Sequence, residues 1–123
     1  MDKRYDNRKT GMSSLSAAPS QSRPAPVVSF DRKELSLILN VYGRKVAAGE
    51  WRDYALDFGR DLAMFSIYRH TSERPLFIVE KDPQLARRQG QYRVLGTDGR
   101  VLRRGHDLAA VLRVFDSQLY LVR

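Results

Sequence analysis

The apolar spacing of this chain changes twice, and the two changes dictate what it can fold into. Between Leu35 and Val46 apolar residues recur every three or four positions, the period of a helix. After Gly49 they alternate in short runs as far as Leu102, the period of a strand, and from Leu108 to Phe115 the helical spacing returns. A helix, a block of about five antiparallel strands, a second helix and a last short strand is the segregated α+β layout. The expected architecture is an antiparallel sheet of about five to six strands with both helices packed on one face.

Local signals set the limits of each element. Val27-Val28-Ser29-Phe30 reads as a short β-type run. Asp31 followed three residues later by Glu34 is the spacing of a capping box, so the first helix starts there and runs to about Ala48, with Gly49 as its stop. Leu35, Ile38, Leu39, Tyr42 and Val46 share one helix face, while Leu37, Val41 and Ala48 make a second apolar stripe. Gly43 sits in the middle of this helix at a cost of about 1 kcal/mol relative to Ala. Strands are expected over 51–58, with Tyr54, Leu56 and Phe58 on one face and Trp51, Asp53, Ala55 and Asp57 on the other, then over 62–68, 76–80, 92–96 and 100–103. Thr97-Asp98-Gly99 between two of these runs is a hairpin turn, 84–90 holds room for one helical turn, and Asp107 caps the second helix. Leu119-Tyr120-Leu121-Val122 supplies the last strand.

The chain has 123 residues, the size of one domain. Residues 1–26 contain no Val, Ile, Phe or Trp, hold five Ser and three of the five Pro, and are expected to form a disordered basic tail ahead of a single α+β domain over 27–123. No apolar core follows the basic N-terminal residues, so the tail is not read as a secretory signal. The chain has no cysteine, which removes disulfides and thiol chemistry. No run approaches the roughly 18 apolar residues of a membrane span, and no membrane partner is expected. The formal net charge is +8. The tail carries five Lys or Arg against two Asp, +3, which leaves +5 on residues 27–123, so the folded part is basic in its own right.

Three stretches carry a resemblance: Val46-Ala47-Ala48-Gly49-Glu50-Trp51-Arg52-Asp53-Tyr54, the strand from Pro75-Leu76 to Glu80-Lys81, and the junction Arg104-Gly105-His106-Asp107-Leu108. Over roughly residues 27–117 the chain resembles an alphaproteobacterial family of proteins of unknown function, DUF2794. The resemblance implies a bacterial, cytoplasmic protein and carries over no activity, cofactor or site residue.

Catalysis finds little support. His70 and His106 are not spaced to supply a nucleophile with an orienting carboxylate, and Asp107, beside His106, is accounted for as a helix cap. Asp53 and Asp57 share a strand face, where Arg52 and Arg60 offer ordinary ion pairs. Phosphate-binding loops, dinucleotide fingerprints and paired metal-binding histidines are absent from the sequence, so no catalytic residue, metal site or cofactor is expected.

Two binding readings remain. Arg93, Arg100, Arg103 and Arg104 fall on the predicted hairpin or its exit, Arg87 and Arg88 come just before it, and no acid lies between Gly99 and His106. Guanidinium groups bind phosphate bidentately and stack on bases, and the cluster leads through Gly105 and His106 into a helix start. The expected site is therefore a polyanion surface of Arg93, Arg100, Arg103, Arg104, Gly105 and His106, with RNA or DNA as partner. Alternation splits the hairpin arginines between two faces, and Asp107 competes for the helix amides. The alternative is a protein partner or a second copy held through Leu37, Val41 and Trp51, the second helix stripe together with the only tryptophan.

Overall fold

A computed structural model of the chain describes residues 26–70 and 74–116. Helix α1 (Arg32–Ala47) is followed by strands β1 (Asp53–Phe58), β2 (Ala63–Tyr68), β3 (Phe77–Lys81), β4 (Tyr92–Gly96) and β5 (Val101–Gly105), then by the short helix α2 (Leu108–Leu112), which continues as a 3-10 turn to Asp116. The five strands form one antiparallel sheet in chain order, so β1 and β5 are its edges. This is the α+β architecture expected from the change of period. The tail over 1–25 and the strand over 119–122 lie outside the described residues.

Each boundary has a local cause. The Asp31 carboxylate accepts the Glu34 amide at 2.8 Å and the Glu34 carboxylate accepts the Asp31 amide at 2.8 Å, the reciprocal pair that starts α1. Gly49, at φ 79°, takes the left-handed conformation that ends it. The Asp107 side chain accepts the Ala109 amide at 3.0 Å and starts α2. Val27 to Phe30, in contrast, form no strand. The Val28 amide bonds the Gly59 carbonyl at 2.8 Å, but no ladder follows, because the chain turns into α1 directly after Phe30.

Strand register fixes the faces. Phe65 lies opposite Val79 and Val79 opposite Val94, and these residues, with Ala63, Ile67 and Phe77, form the face on which the helices pack. From the helical layer come Ile38, Val41, Leu108, Val111, Leu112 and Phe115, all in one core. Three of the core's four most central positions on the sheet are β-branched or aromatic, the residue types that fill a pleated surface best. The opposite face carries Met64, Ile78 and Leu95, half-buried, with Ser66 and Glu80 buried among them.

The core settles where the two stripes of α1 and Trp51 lie, and it corrects their expected use as a partner surface. The rotation of α1 turns Glu34, Ile38 and Val41 inward, with Leu37 packed at the border, and leaves Leu39 and Val46 exposed at 37% and 40%. The inward face takes Ile38 from one stripe and Val41 from the other, with Leu35 and Tyr42 also packed against the core, and includes Glu34, whose carboxylate reaches Lys81 Nζ at 2.8 Å and the Tyr92 hydroxyl. Trp51 does not lie on the polar strand face. It precedes β1 in the connection from α1, is 3% exposed, and its ring meets Phe77 at 6.0 Å and Phe115 at 5.0 Å. Val41 and Trp51 are therefore core residues, unable to serve as a partner surface without unfolding. Leu37 is half-buried against the same core.

Candidate polyanion-binding site

The hairpin of β4 and β5 forms for the reason its sequence gives. Gly99 adopts φ 85°, its amide bonds the Gly96 carbonyl at 2.9 Å, and the Asp98 carboxylate accepts the Arg100 amide at 3.0 Å. A bulge then interrupts the ladder: Leu95 pairs with Val101, whereas Val94 pairs with Arg103, so Leu102 is the extra residue. Leu102 packs against the core, and the bulge sets the directions of the arginines that follow. Arg104 is opposite Arg93, on the face away from the helices, and Arg103 is opposite Val94, on the helix-bearing face but at the exposed rim.

The four hairpin arginines do not form one surface. Arg93 Nε meets Glu80 Oε1 at 2.6 Å, and its Nη2 lies 3.9 Å from Asp82. Glu80 is buried, so Arg93 neutralises a carboxylate that would otherwise lie uncompensated in the sheet. Arg100 belongs to the turn, beside Asp98 at 3.8 Å, and is separated from Arg104 by most of a strand, about 13 Å at 3.3 Å per residue. That exceeds the Debye length of about 8 Å at physiological salt, so its field adds little at the other end. Arg93 and Arg100 thus leave the expected site, one because it is committed to Glu80 and the other because of distance.

What replaces them comes from the excursion between β3 and β4. It is closed by the Asp82 amide on the Gln91 carbonyl at 2.7 Å, opens with a 3-10 turn at Pro83–Leu85, and ends at Gly90, whose amide bonds the Leu85 carbonyl at 3.0 Å. Gly90 sits at φ 94°, and a Cβ there would lie 2.2 Å from the Gly105 carbonyl carbon. Glycine is required on both counts, and its absence of a side chain lets the excursion rest on the end of β5. The neighbouring Gln89 side chain accepts a hydrogen bond from Arg104. The exposed Arg87 and Arg88 are carried with this turn to the rim that bears Arg103 and Arg104, with exposed His106 following Gly105.

Among the described residues, Arg87, Arg88, Arg103 and Arg104 form no ion pair with a carboxylate. The α2 amides are not part of this surface, because Asp107 already occupies them. The sequence placed Arg87 and Arg88 next to the hairpin but gave no reason to join them to it. The usable signal is Gly90 and Gly105, two glycines at the ends of elements that pack backbone to backbone. Asp53 and Asp57 both lie on β1, and no group of three or more metal-ligating side chains occurs among the described residues.

The model of a family described as a protein of unknown function (DUF2794) matches residues 28–112. The chain belongs to this family. The match runs from the residues just before α1 through the last turn of α2, so it covers both the helical layer and the whole sheet. No curated protein and no solved structure matches the chain. No helix among the described residues is long and apolar enough to cross a membrane.

Proposed function

We propose that this member of DUF2794 is a non-catalytic nucleic-acid-binding module whose contact surface is the β5 rim, formed by Arg87, Arg88, Arg103 and Arg104 with His106 beside them. The observation that carries the reading is the packing of Gly90 on Gly105, with Gln89 on Arg104, which brings the turn bearing Arg87 and Arg88 onto the β5 edge, where no carboxylate among the described residues pairs with them or with Arg103 and Arg104. Guanidinium groups at such a rim bind phosphate oxygens bidentately, and the formal charge of +8 adds long-range attraction. The bacterial cytoplasm that the family resemblance implies offers RNA and DNA as the abundant polyanions.

The test is a salt titration of affinity for a generic RNA and a generic DNA duplex. Neutralising Z phosphates makes log K fall against log[salt] with a slope near −0.9Z for duplex DNA and about −0.7Z for single strands. Replacing Arg87 and Arg88, or Arg103 and Arg104, by Gln is expected to flatten that slope by about one to two units in each pair while the fold is kept. Arg100→Gln is expected to leave it nearly unchanged. No binding of either nucleic acid at low salt overturns the reading.

A further inference from the structure

The edge opposite the basic rim is β1, and among the described residues no strand pairs with its outer side. The Gly59 amide donates to the Leu62 carbonyl at 2.8 Å, which continues the register Asp57↔Met64 and Ala55↔Ser66, so the odd-numbered residues of β1 bond to β2. In an antiparallel ladder the intervening residues then point their amides and carbonyls off the sheet, here those of Tyr54, Leu56 and Phe58. The Tyr54 amide is taken by the side chain of Asp53 at 2.9 Å, and beyond Phe58 the Gly59 carbonyl is taken by Val28. Between these limits the Leu56 amide and carbonyl, the Phe58 amide and the Tyr54 carbonyl have no protein partner among the described residues.

The side chains of the same three residues are exposed at 41%, 38% and 44% and make an apolar row on the helix-bearing face. The row continues onto α1, because Tyr42 meets Tyr54 edge to face at 5.0 Å and shares its helix stripe with exposed Leu39 and Val46. An open edge with an apolar row is a template for another strand. The row reads aromatic, leucine, aromatic, so antiparallel pairing of two copies centred on Leu56 sets like side chains against like, Tyr54 against Phe58 and Leu56 against Leu56.

We infer that β1 pairs antiparallel with β1 of a second copy of this chain, about a two-fold axis through Leu56. Within the strand Asp53–Phe58, charge selects this register. Centred on Leu56, Tyr54 lies opposite Phe58 of the other copy, Leu56 opposite Leu56, and Asp57 opposite Ala55. Centred one residue earlier, on Ala55, Asp53 would face Asp57; centred one later, Asp57 would face Asp57, and like charges directly opposite destabilise a ladder. In the chosen register the Leu56 amide donates to the Leu56 carbonyl of the other copy and the Phe58 amide to its Tyr54 carbonyl, in both directions, without displacing the Asp53 or Val28 contacts. The result is one continuous sheet of ten strands with a basic rim at each end. This inference stands on β1 alone and is independent of what the rim binds.

Because the chain has no cysteine, single cysteines report the register directly. The full chain is expected to sediment as a dimer, with a Leu56 amide protected from hydrogen exchange as concentration rises. Under mild oxidation Leu56→Cys is expected to form a disulfide dimer, since paired Cα atoms of this type lie about 5.5 Å apart. Tyr54→Cys is expected to cross-link at least tenfold less, its own copy being about 14 Å away along the strand. Leu56→Lys is expected to be a folded monomer by circular dichroism and sedimentation. A wild-type monomer with a fast-exchanging Leu56 amide overturns the inference, and a monomer with a protected Leu56 amide overturns it in favour of a segment of the same chain lying over the edge. Equal cross-linking at positions 54 and 56, or a dimer that survives Leu56→Lys, overturns the register or the location.

Discussion

Glu34 holds more of the tertiary structure than any other charged residue described. Its carboxylate caps α1 through the Asp31 amide and receives Lys81 and the Tyr92 hydroxyl, while Lys81 also donates to the Ser29 carbonyl at 3.0 Å. Burial alone would raise its pKa, but the hydrogen bonds from Lys81, Tyr92 and the Asp31 amide, with the Lys81 charge, outweigh it and hold the carboxyl below its usual range. Burial, followed by the bond to Glu34, pushes Tyr92 strongly upward, so its hydroxyl stays a donor throughout the neutral range. Glu34→Ala is expected to cost about 3–5 kcal/mol in urea unfolding at neutral pH, because it leaves the Lys81 ammonium and the Tyr92 hydroxyl without their acceptor. A depressed folded pKa contributes stability above the unfolded value that is lost as pH falls through the folded one. The stability difference between wild type and Glu34→Gln is therefore expected to shrink on acidification below the ordinary glutamate range, and to be constant from there to neutrality. Trp51 gives a second contrast at this scale: Trp51→Ala is expected to cost about 3–5 kcal/mol, the loss of a buried aromatic, whereas an interface anchor would leave the unfolding midpoint unmoved.

Among the elements, α1 and the excursion at 82–91 show opposite uses of glycine. Gly43 is exposed in mid-helix with nothing within 4 Å of an added Cβ, so Gly43→Ala is expected to raise stability by about 1 kcal/mol, read as a higher melting temperature. Gly90→Ala has the reverse sign: the left-handed backbone and the 2.2 Å approach to Gly105 both forbid it, and a loss of about 3 kcal/mol is expected. If folding survives at low temperature, the Gly90→Ala protein should also show a flatter salt slope, since the turn bearing Arg87 and Arg88 is no longer seated on β5. The element boundaries were legible because caps, turns and periodicity act over a few residues. The face that α1 turns inward was not, since it draws Ile38 from one stripe and Val41 from the other.

For the whole molecule, the two edges of the sheet carry opposite chemistry, an apolar β1, unpaired among the described residues, and a basic β5. Pairing at β1 would place the two basic rims about 43 Å apart, at roughly 4.8 Å per strand spacing. A duplex long enough to span both rims should then bind more tightly to wild type than to Leu56→Lys, while an oligonucleotide too short to span them should bind the two alike. Fluorescence anisotropy with probes of both lengths measures this, and equal affinity for the long duplex would separate the rim from the dimer.

The sequence by itself determined the order and kind of the elements, the family, and the caps and the Asp98-Gly99 turn that bound them. These follow from terms that act between residues close in the chain: backbone propensity, period and local hydrogen bonds. Only the tertiary structure decided that Val41 and Trp51 belong to the core, that Arg93 is bound to Glu80, and that the turn bearing Arg87 and Arg88 rests on the end of β5, with Gln89 on Arg104. Each depends on contacts across long separations. Glu34 and Tyr92 are 58 residues apart and Glu34 and Lys81 are 47, and these bonds tie α1 to β3 and β4. A charge counts toward a binding surface only if no buried partner claims it, and the register of β3 against β4, which places Glu80 opposite Arg93, decides which arginine is claimed.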